Sequence, residues 1–149
     1  MSIVRPDILI IDRDGNPAVA VEVKNREHLS PDIARVLRRN LVVHGYTLST
    51  PFFLLLSQDN GYLWKNATTQ QIDISPDYQF PLDNVISRYL KSEPKRRLSG
   101  EELELLIVQW LIGITLEHLE PSQEPDSTLV SAGLDTAIRG GQVIAEAAA

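Results

Sequence analysis

The sequence PDILIIDRDGNPAVAVEVKN, residues 6–25, carries the strongest structural signal in the chain. An almost unbroken apolar run over residues 4–12 is typical of a buried strand, and residues 18–24 alternate valines with other side chains as a second strand does. Asp14-Gly15 lies between the two segments, where an Asp-Gly pair favours a tight type I′ turn. The pattern therefore predicts a β-hairpin.

This hairpin predicts where its acidic and basic side chains lie. Strand alternation puts Glu22 and Lys24 on one face of the second strand. A tight two-residue turn places Asp7, at the start of the first strand, directly opposite Glu22. A loop of odd length would shift the pairing by one residue and separate the two carboxylates.

Two facing carboxylates suggest a metal site. Like charges directly opposed across a ladder destabilise a sheet, because their Cβ atoms are only about 5 Å apart. A divalent cation removes this repulsion, and Mg²⁺ binds one or two carboxylates together with water and substrate phosphate. A lysine one pleat further can position the attacking water and neutralise charge on a phosphoryl group. Asp7, Glu22 and Lys24 are therefore the candidate functional residues.

The sequence after the hairpin predicts a helix and two more strands. Ser30-Pro31 is typical of a helix start, with serine as the N-cap and proline in the first turn, and the helix is predicted to end near His44. Residues 51–57 are typical of a buried central strand, and residues 62–65 of an edge strand. Strands that alternate with a helix indicate an α/β fold with a mixed sheet flanked by helices.

The next elements predicted are a loop over residues 66–78 and a short helix over residues 81–91. Ser99 and Glu102 have the spacing of a capping box, which begins a long helix through about Leu119.

The long helix is apolar around nearly its whole circumference, over residues 103–116. It is shorter than the roughly 20 residues that cross a bilayer. We therefore expect it to be buried between the core and a second copy of the chain, as in a homodimer. Residues 1–119 are predicted to form one α/β domain that includes this helix, and residues 120–149 an acidic, alanine-rich tail.

Composition limits the function classes. The net charge of −6 argues against nucleic-acid binding, but residues 1–97 carry 13 basic and 11 acidic side chains, whereas residues 98–149 carry one arginine and nine acidic ones. Contact with a polyanion must therefore use the first part. The chain has no cysteine, which excludes thiol nucleophiles and cysteine-based metal sites. No export signal is visible at the N-terminus, so we expect a cytoplasmic location.

Basic side chains are concentrated beside and just after the candidate site. Arg35, Arg38 and Arg39 lie on the predicted helix, and Arg26 precedes it. These arginines could follow a phosphate backbone, because phosphate contacts supply most of the affinity of nucleic-acid binding. The alternative is an ordinary solvated helix face.

The residues of the hairpin resemble those of a known family. Pro6-Asp7, followed after fourteen residues by Glu22-Val23-Lys24, lies at the two ends of a β-hairpin, and a helix and another strand come next. This arrangement resembles the PD-(D/E)XK nuclease superfamily, in particular the nuclease domains of type I restriction subunits. The resemblance covers roughly residues 4–65.

The resemblance implies a restriction-endonuclease-like fold and a phosphodiesterase that depends on Mg²⁺ or Mn²⁺. It implies that Asp7, Glu22 and the Val23 carbonyl hold the metal and that Lys24 is the catalytic lysine. DNA is the expected substrate. The alternative is a catalytically inactive module, monomeric or homodimeric, that keeps the fold for binding or scaffolding.

One departure from the family concerns the helix that usually precedes the hairpin, because only six residues precede Asp7. The chain could be a weakened relative, a partner could supply the helix, or the helix from Ser99 could take its place. The last possibility would bring Glu101, Glu102 or Glu104 near the site.

Overall fold

The computed structural model describes residues 5–44, 50–67, 71–90 and 97–145. Within these residues the chain forms one mixed sheet with helices on both faces. The strands are β1 (Ile8–Ile11), β2 (Pro17–Val23), β3 (Phe52–Leu56), β4 (Asn60–Lys65), β5 (Tyr78–Pro81) and β6 (Gln142–Ala145). The helices are α1 (Pro31–Val43), α2 (Asp83–Tyr89), α3 (Gly100–Thr115), α4 (Asp126–Ala132) and α5 (Leu134–Ile138).

The six strands of the described residues lie in the order β5-β4-β3-β2-β1-β6. The β2–β3 pair is parallel and the other neighbours are antiparallel. Every residue of β3 is buried, which confirms the predicted central strand. The prediction that β4 is an edge strand is wrong, because β5 pairs with its outer side.

The hairpin between β1 and β2 is confirmed, but its turn is not type I′. The Asp12 N–H donates to the Asn16 carbonyl at 2.8 Å, and the Asp12 carboxylate accepts from the Asp14 and Asn16 N–H groups at 2.9 Å each. Gly15 has a φ of +88° and Asp14 does not have a positive φ. A three-residue loop with glycine in the left-handed region explains this geometry.

A β-bulge compensates for the odd loop length. Ile11 lies opposite Pro17, whereas Ile10 lies opposite Val19, so Ala18 is an extra residue on β2. The loop shifts the pairing by one residue and the bulge shifts it back. Ile8 therefore lies opposite Val21, the pairing that a two-residue turn without a bulge would have produced.

The two faces of the sheet pack against different helices. On one face, Ile8, Val21 and Leu54 join the core that Trp110 and Leu111 of α3 complete. The other face, with Tyr62 and Trp64, packs against α1. The Ser30 N-cap of α1 and the Ser99–Glu102 capping box of α3 both form as predicted.

The segment after residue 119 is part of the domain, which corrects the predicted tail. Leu129, Ala132, Leu134 and Ile138 are fully buried in the core beneath α3. Strand β6 then pairs with β1 along its whole length. The prolines and glycines of this segment lie in the turns and at the ends of these short elements: Pro121, Pro125, Gly133, Gly140 and Gly141.

Helix α3 ends at Thr115 rather than near Leu119. Its sides are covered within the monomer by α2, α5 and β6, which accounts for most of its apolar circumference. Leu105, Ile112 and Leu116 remain exposed on the outer side. Among the described helices, none has the length and apolarity needed to cross a membrane.

Candidate functional site

Asp7 contacts the end of β2, where the family-like motif lies. One oxygen of its carboxylate, Oδ2, accepts a hydrogen bond of 2.8 Å from the Val23 N–H. This bond fixes the carboxylate beside the peptide that joins Glu22 to Val23. The pairing of β1 with β2, continued by one residue beyond Ile8 and Val21, also puts Asp7 opposite Glu22.

The ladder between β1 and β2 ends at Ile8 and Val21, and the chain bends at Asp7, so beyond that point it is a side chain that bonds to Val23. In an antiparallel ladder a residue directs its N–H and C=O groups toward the same neighbouring strand, so the Val23 carbonyl points to the β1 side, like its N–H. By register, Pro6 is the residue that would pair with Val23 if the ladder ran two residues further, but the chain bends before it. Proline has no N–H, so Pro6 cannot donate to the Val23 carbonyl. That carbonyl is therefore available to a ligand beside Asp7.

Glu22 and Lys24 occupy the face of the sheet that α1 covers. The Glu22 side chain is only 4% exposed, and Lys24 is half-buried. The backbone around Lys24 is held on both sides: its N–H donates to the Leu56 carbonyl at 2.8 Å, and its carbonyl accepts from the Arg26 N–H at 2.8 Å. Lys24 thus extends from a rigid strand end.

The donor atoms at this strand end suit a hard divalent cation. Asp7 and Glu22 contribute carboxylate oxygens and Val23 contributes a carbonyl oxygen, the ligand type that Mg²⁺ prefers. In the part of the chain that the structure describes, no three His, Cys, Asp or Glu side chains converge as a metal site. The metal site predicted from the sequence, with Asp7, Glu22 and the Val23 carbonyl, has only two carboxylates and stays a prediction.

We expect Pro6→Ala to weaken binding of Mn²⁺ about tenfold, since an alanine N–H can donate to the Val23 carbonyl and withdraw it from the cation. Isothermal titration calorimetry with Mn²⁺ measures this affinity. Pro17→Ala, at the start of β2, is the matched control and should bind like the wild type. If Pro6→Ala also kept the wild-type affinity, the Val23 carbonyl would not be a ligand.

A cavity of about 160 Å³ adjoins Lys24. Leu37 and Leu41 of α1 form its apolar wall, and Asn40 and His44 add polar groups. Helical periodicity alone does not indicate this site, because Asn40 and His44 share the face of the helix that carries Leu37 and Leu41. The sequence feature that indicates the site is the spacing of four residues between Asn40 and His44, which puts both on one face of the helix that follows Lys24.

Arg38 is a core residue, so its predicted contact with a phosphate backbone is wrong. Its side chain is buried, and its Nη1 donates to the Gln71 carbonyl at 2.7 Å. The guanidinium also lies 5.8 Å from the ring centroids of Phe53 and Trp64. Arginine is weakly hydrated and stacks on aromatic rings, which makes this burial favourable.

The other predicted phosphate-binding residues differ in accessibility. Arg35 forms an ion pair with Asp73, which neutralises its charge. Arg39 is half-buried and Arg26 is exposed, beside Lys24. Of the three arginines on the helix, only Arg39 therefore remains a predicted phosphate contact, and Arg26 lies nearby.

Helix α3 packs on the sheet face opposite to Asp7 and Glu22, but its first turn lies at the same end of β2. A Cβ at Gly100 would lie 3.7 Å from the Asn25 side-chain amide. Gln58 joins the two segments, with hydrogen bonds to Asn25 at 2.5 Å and to the Leu98 carbonyl at 2.8 Å. Glu102 caps its own helix through the Ser99 N–H. The start of α3 thus packs against the end of β2 from the sheet face opposite to α1.

Comparisons of the chain with protein-family models, with curated proteins and with solved structures found no match in any of the three.

Proposed function

We propose that this chain is a metal-dependent phosphodiesterase that hydrolyses DNA, with a restriction-endonuclease-like fold of the PD-(D/E)XK type. The hydrogen bond between the Asp7 carboxylate and the Val23 N–H carries the proposal. It brings the acidic residue of one strand to the strand end that bears Glu22 and Lys24. A parallel strand pair and helices on both sheet faces support the same assignment.

The proposed roles follow from charge and position. Asp7, Glu22 and the Val23 carbonyl would hold Mg²⁺, which would supply a Lewis acid for the phosphate and help to generate the nucleophile. Lys24 donates a hydrogen bond to the attacking water or to a phosphate oxygen, and its positive charge stabilises the additional negative charge of the transition state. Because Lys24 is half-buried, its charge acts where solvent screening is reduced.

The test is cleavage of supercoiled and single-stranded DNA with Mg²⁺ or Mn²⁺. We expect activity that a chelator abolishes and that Asp7→Asn lowers by about 100-fold or more, since losing even a partner of a metal ligand costs 10–100-fold. Asparagine keeps an oxygen for the Val23 N–H, so the fold should persist. Asp14→Asn, in the exposed hairpin loop, is the control. Equal cleavage by the wild type and Asp7→Asn would refute the proposal.

A second candidate function is a homodimeric binding or scaffold module without turnover. The observation that favours it is the row of exposed apolar residues on α3, with Leu105 at 66%, Ile112 at 41% and Leu116 at 58% exposure. Their spacing puts them along one side of the helix, as in a helix that packs against another.

For this candidate we expect light scattering to give twice the 16.7 kDa mass of the chain. Leu105→Glu should give the monomer mass, because it places a charge in the apolar contact. Val43→Glu, at a residue of α1 that is 61% exposed, is the matched control and should stay dimeric. A monomeric wild-type protein would exclude the dimer.

A further inference from the structure

The cavity beside Lys24 has the size of one aromatic ring. Its volume is about 160 Å³, and a protein cavity of about 150 Å³ holds one benzene molecule. A six-membered ring therefore fills it, whereas the fused rings of a purine would extend beyond it. The cavity is open to solvent, so a purine would leave part of its ring system outside, whereas the walls hold a pyrimidine ring whole, and this difference favours a pyrimidine.

The lining of the cavity suits a nucleobase. Leu37 and Leu41 offer an apolar surface to the flat faces of a ring. Asn40 is exposed and carries both a donor and an acceptor, the combination that reads the edge of a base. The imidazole of His44 can stack on a base, as histidine does with unpaired bases in nucleic-acid complexes.

The distribution of charge around the site disfavours binding along a duplex. Binding to duplex DNA depends on several lysine or arginine contacts to phosphates. On α1, Arg38 is buried and Arg35 is paired with Asp73. In the described part of α1 and the strand end beside it, only Lys24, Arg26 and Arg39 remain as candidate phosphate contacts, so holding a base adds to the affinity, because stacking of one base contributes substantially to the affinity for single strands.

We propose that this cavity binds one unpaired pyrimidine base of a DNA strand, next to the phosphodiester that Lys24 contacts. The inference rests on the proposed function and specifies its substrate, a single strand or a frayed duplex end. A base inside a closed duplex cannot enter the cavity, because it is stacked and paired.

The experiment measures binding and cleavage separately. Fluorescence anisotropy without divalent cations compares labelled oligo(dT), oligo(dA) and a duplex on the full chain. We expect oligo(dT) to bind about tenfold more tightly than either of the other two, as one stacked base allows. Equal affinity for the three probes would overturn the inference.

Two variants locate the binding site. Leu41→Phe fills the cavity, and Asn40→Ala removes the polar group from an exposed position without disturbing the core. Both should lose the preference for oligo(dT), while Val43→Phe, on the exposed side of the same helix, should keep it. If both cavity variants kept the preference for oligo(dT), the inference would be wrong. This holds even if Leu41→Phe lowers the stability of the protein.

The cleavage arm distinguishes this inference from the proposed function. Selective oligo(dT) binding that the variants remove, without metal-dependent cleavage of any DNA, would support the cavity assignment and refute the nuclease. Metal-dependent cleavage of duplex DNA that Leu41→Phe and Asn40→Ala leave unchanged would support the nuclease and refute the cavity assignment.

Discussion

For the proposed nuclease, we expect Lys24→Ala to lower the rate of metal-dependent DNA cleavage by about 100- to 1,000-fold, which is the usual cost of removing one donor to a developing oxyanion. The loss appears in kcat, because the lysine charge stabilises the transition state more than bound substrate. Single-turnover cleavage of a labelled oligonucleotide measures the effect. Lys24 is half-buried and hydrogen bonds fix its backbone, so its positive charge is held in one position.

Lys65→Ala is the matched control, since it removes an exposed lysine from β4 and leaves the net charge equal to that of Lys24→Ala. We expect it to cleave like the wild type. Lys24→Arg should remain strongly impaired, because the planar guanidinium cannot reproduce the point charge of an ammonium group. Comparable activity of Lys24→Ala and Lys65→Ala would remove Lys24 from the reaction.

Asp126→Ala lowers the free energy of unfolding by about 3–5 kcal/mol, the cost of breaking a buried ion pair by removing one partner. Asp126 is fully buried and accepts hydrogen bonds from Trp110 Nε1 at 3.0 Å, Arg88 Nη1 at 3.1 Å and the Glu120 N–H at 2.8 Å. Three elements, α2, α3 and α4, meet at this carboxylate. Its removal leaves three donors without a partner, one of them charged.

Urea denaturation followed by tryptophan fluorescence measures this loss. Asp14→Ala, in the exposed loop of the hairpin, should change the stability by no more than about 0.5 kcal/mol. Asp126→Asn should fall between the two, because it keeps the shape of the side chain and one acceptor oxygen. A loss in Asp126→Ala no larger than in Asp14→Ala would contradict the anchoring role.

Local signals predicted the local structure well. Ser30 and Pro31 marked the start of α1, and Ser99 with Glu102 marked the start of α3, because a cap depends on residues within one turn. The hairpin followed from strand patterns on both sides of Gly15. The predicted pairing of its strands was correct only because the bulge at Ala18 offset an error in the turn type, and a bulge leaves no clear mark in a single sequence.

Features that depend on distant parts of the chain could not be predicted. Arg38 has the pattern of a solvated residue within α1, and its burial depends on Phe53 and Trp64 from two other strands. Strand β6 is four residues long and is stabilised by pairing with β1. The cavity at Lys24 likewise forms only when α1 packs onto β2. The periodicity of a sequence does not predict which elements pack against each other.

The pairing of β6 with β1 has a consequence for the order of folding. Ile8 lies opposite Ala145, so the strand that leads from Asp7 is flanked by a segment that is synthesised long after it. Such long-range pairing raises contact order and slows folding. On the ribosome, β1 can gain its second neighbour only after residue 145 has left the exit tunnel. We therefore expect the sheet beside Asp7 to stay incomplete in nascent chains until then.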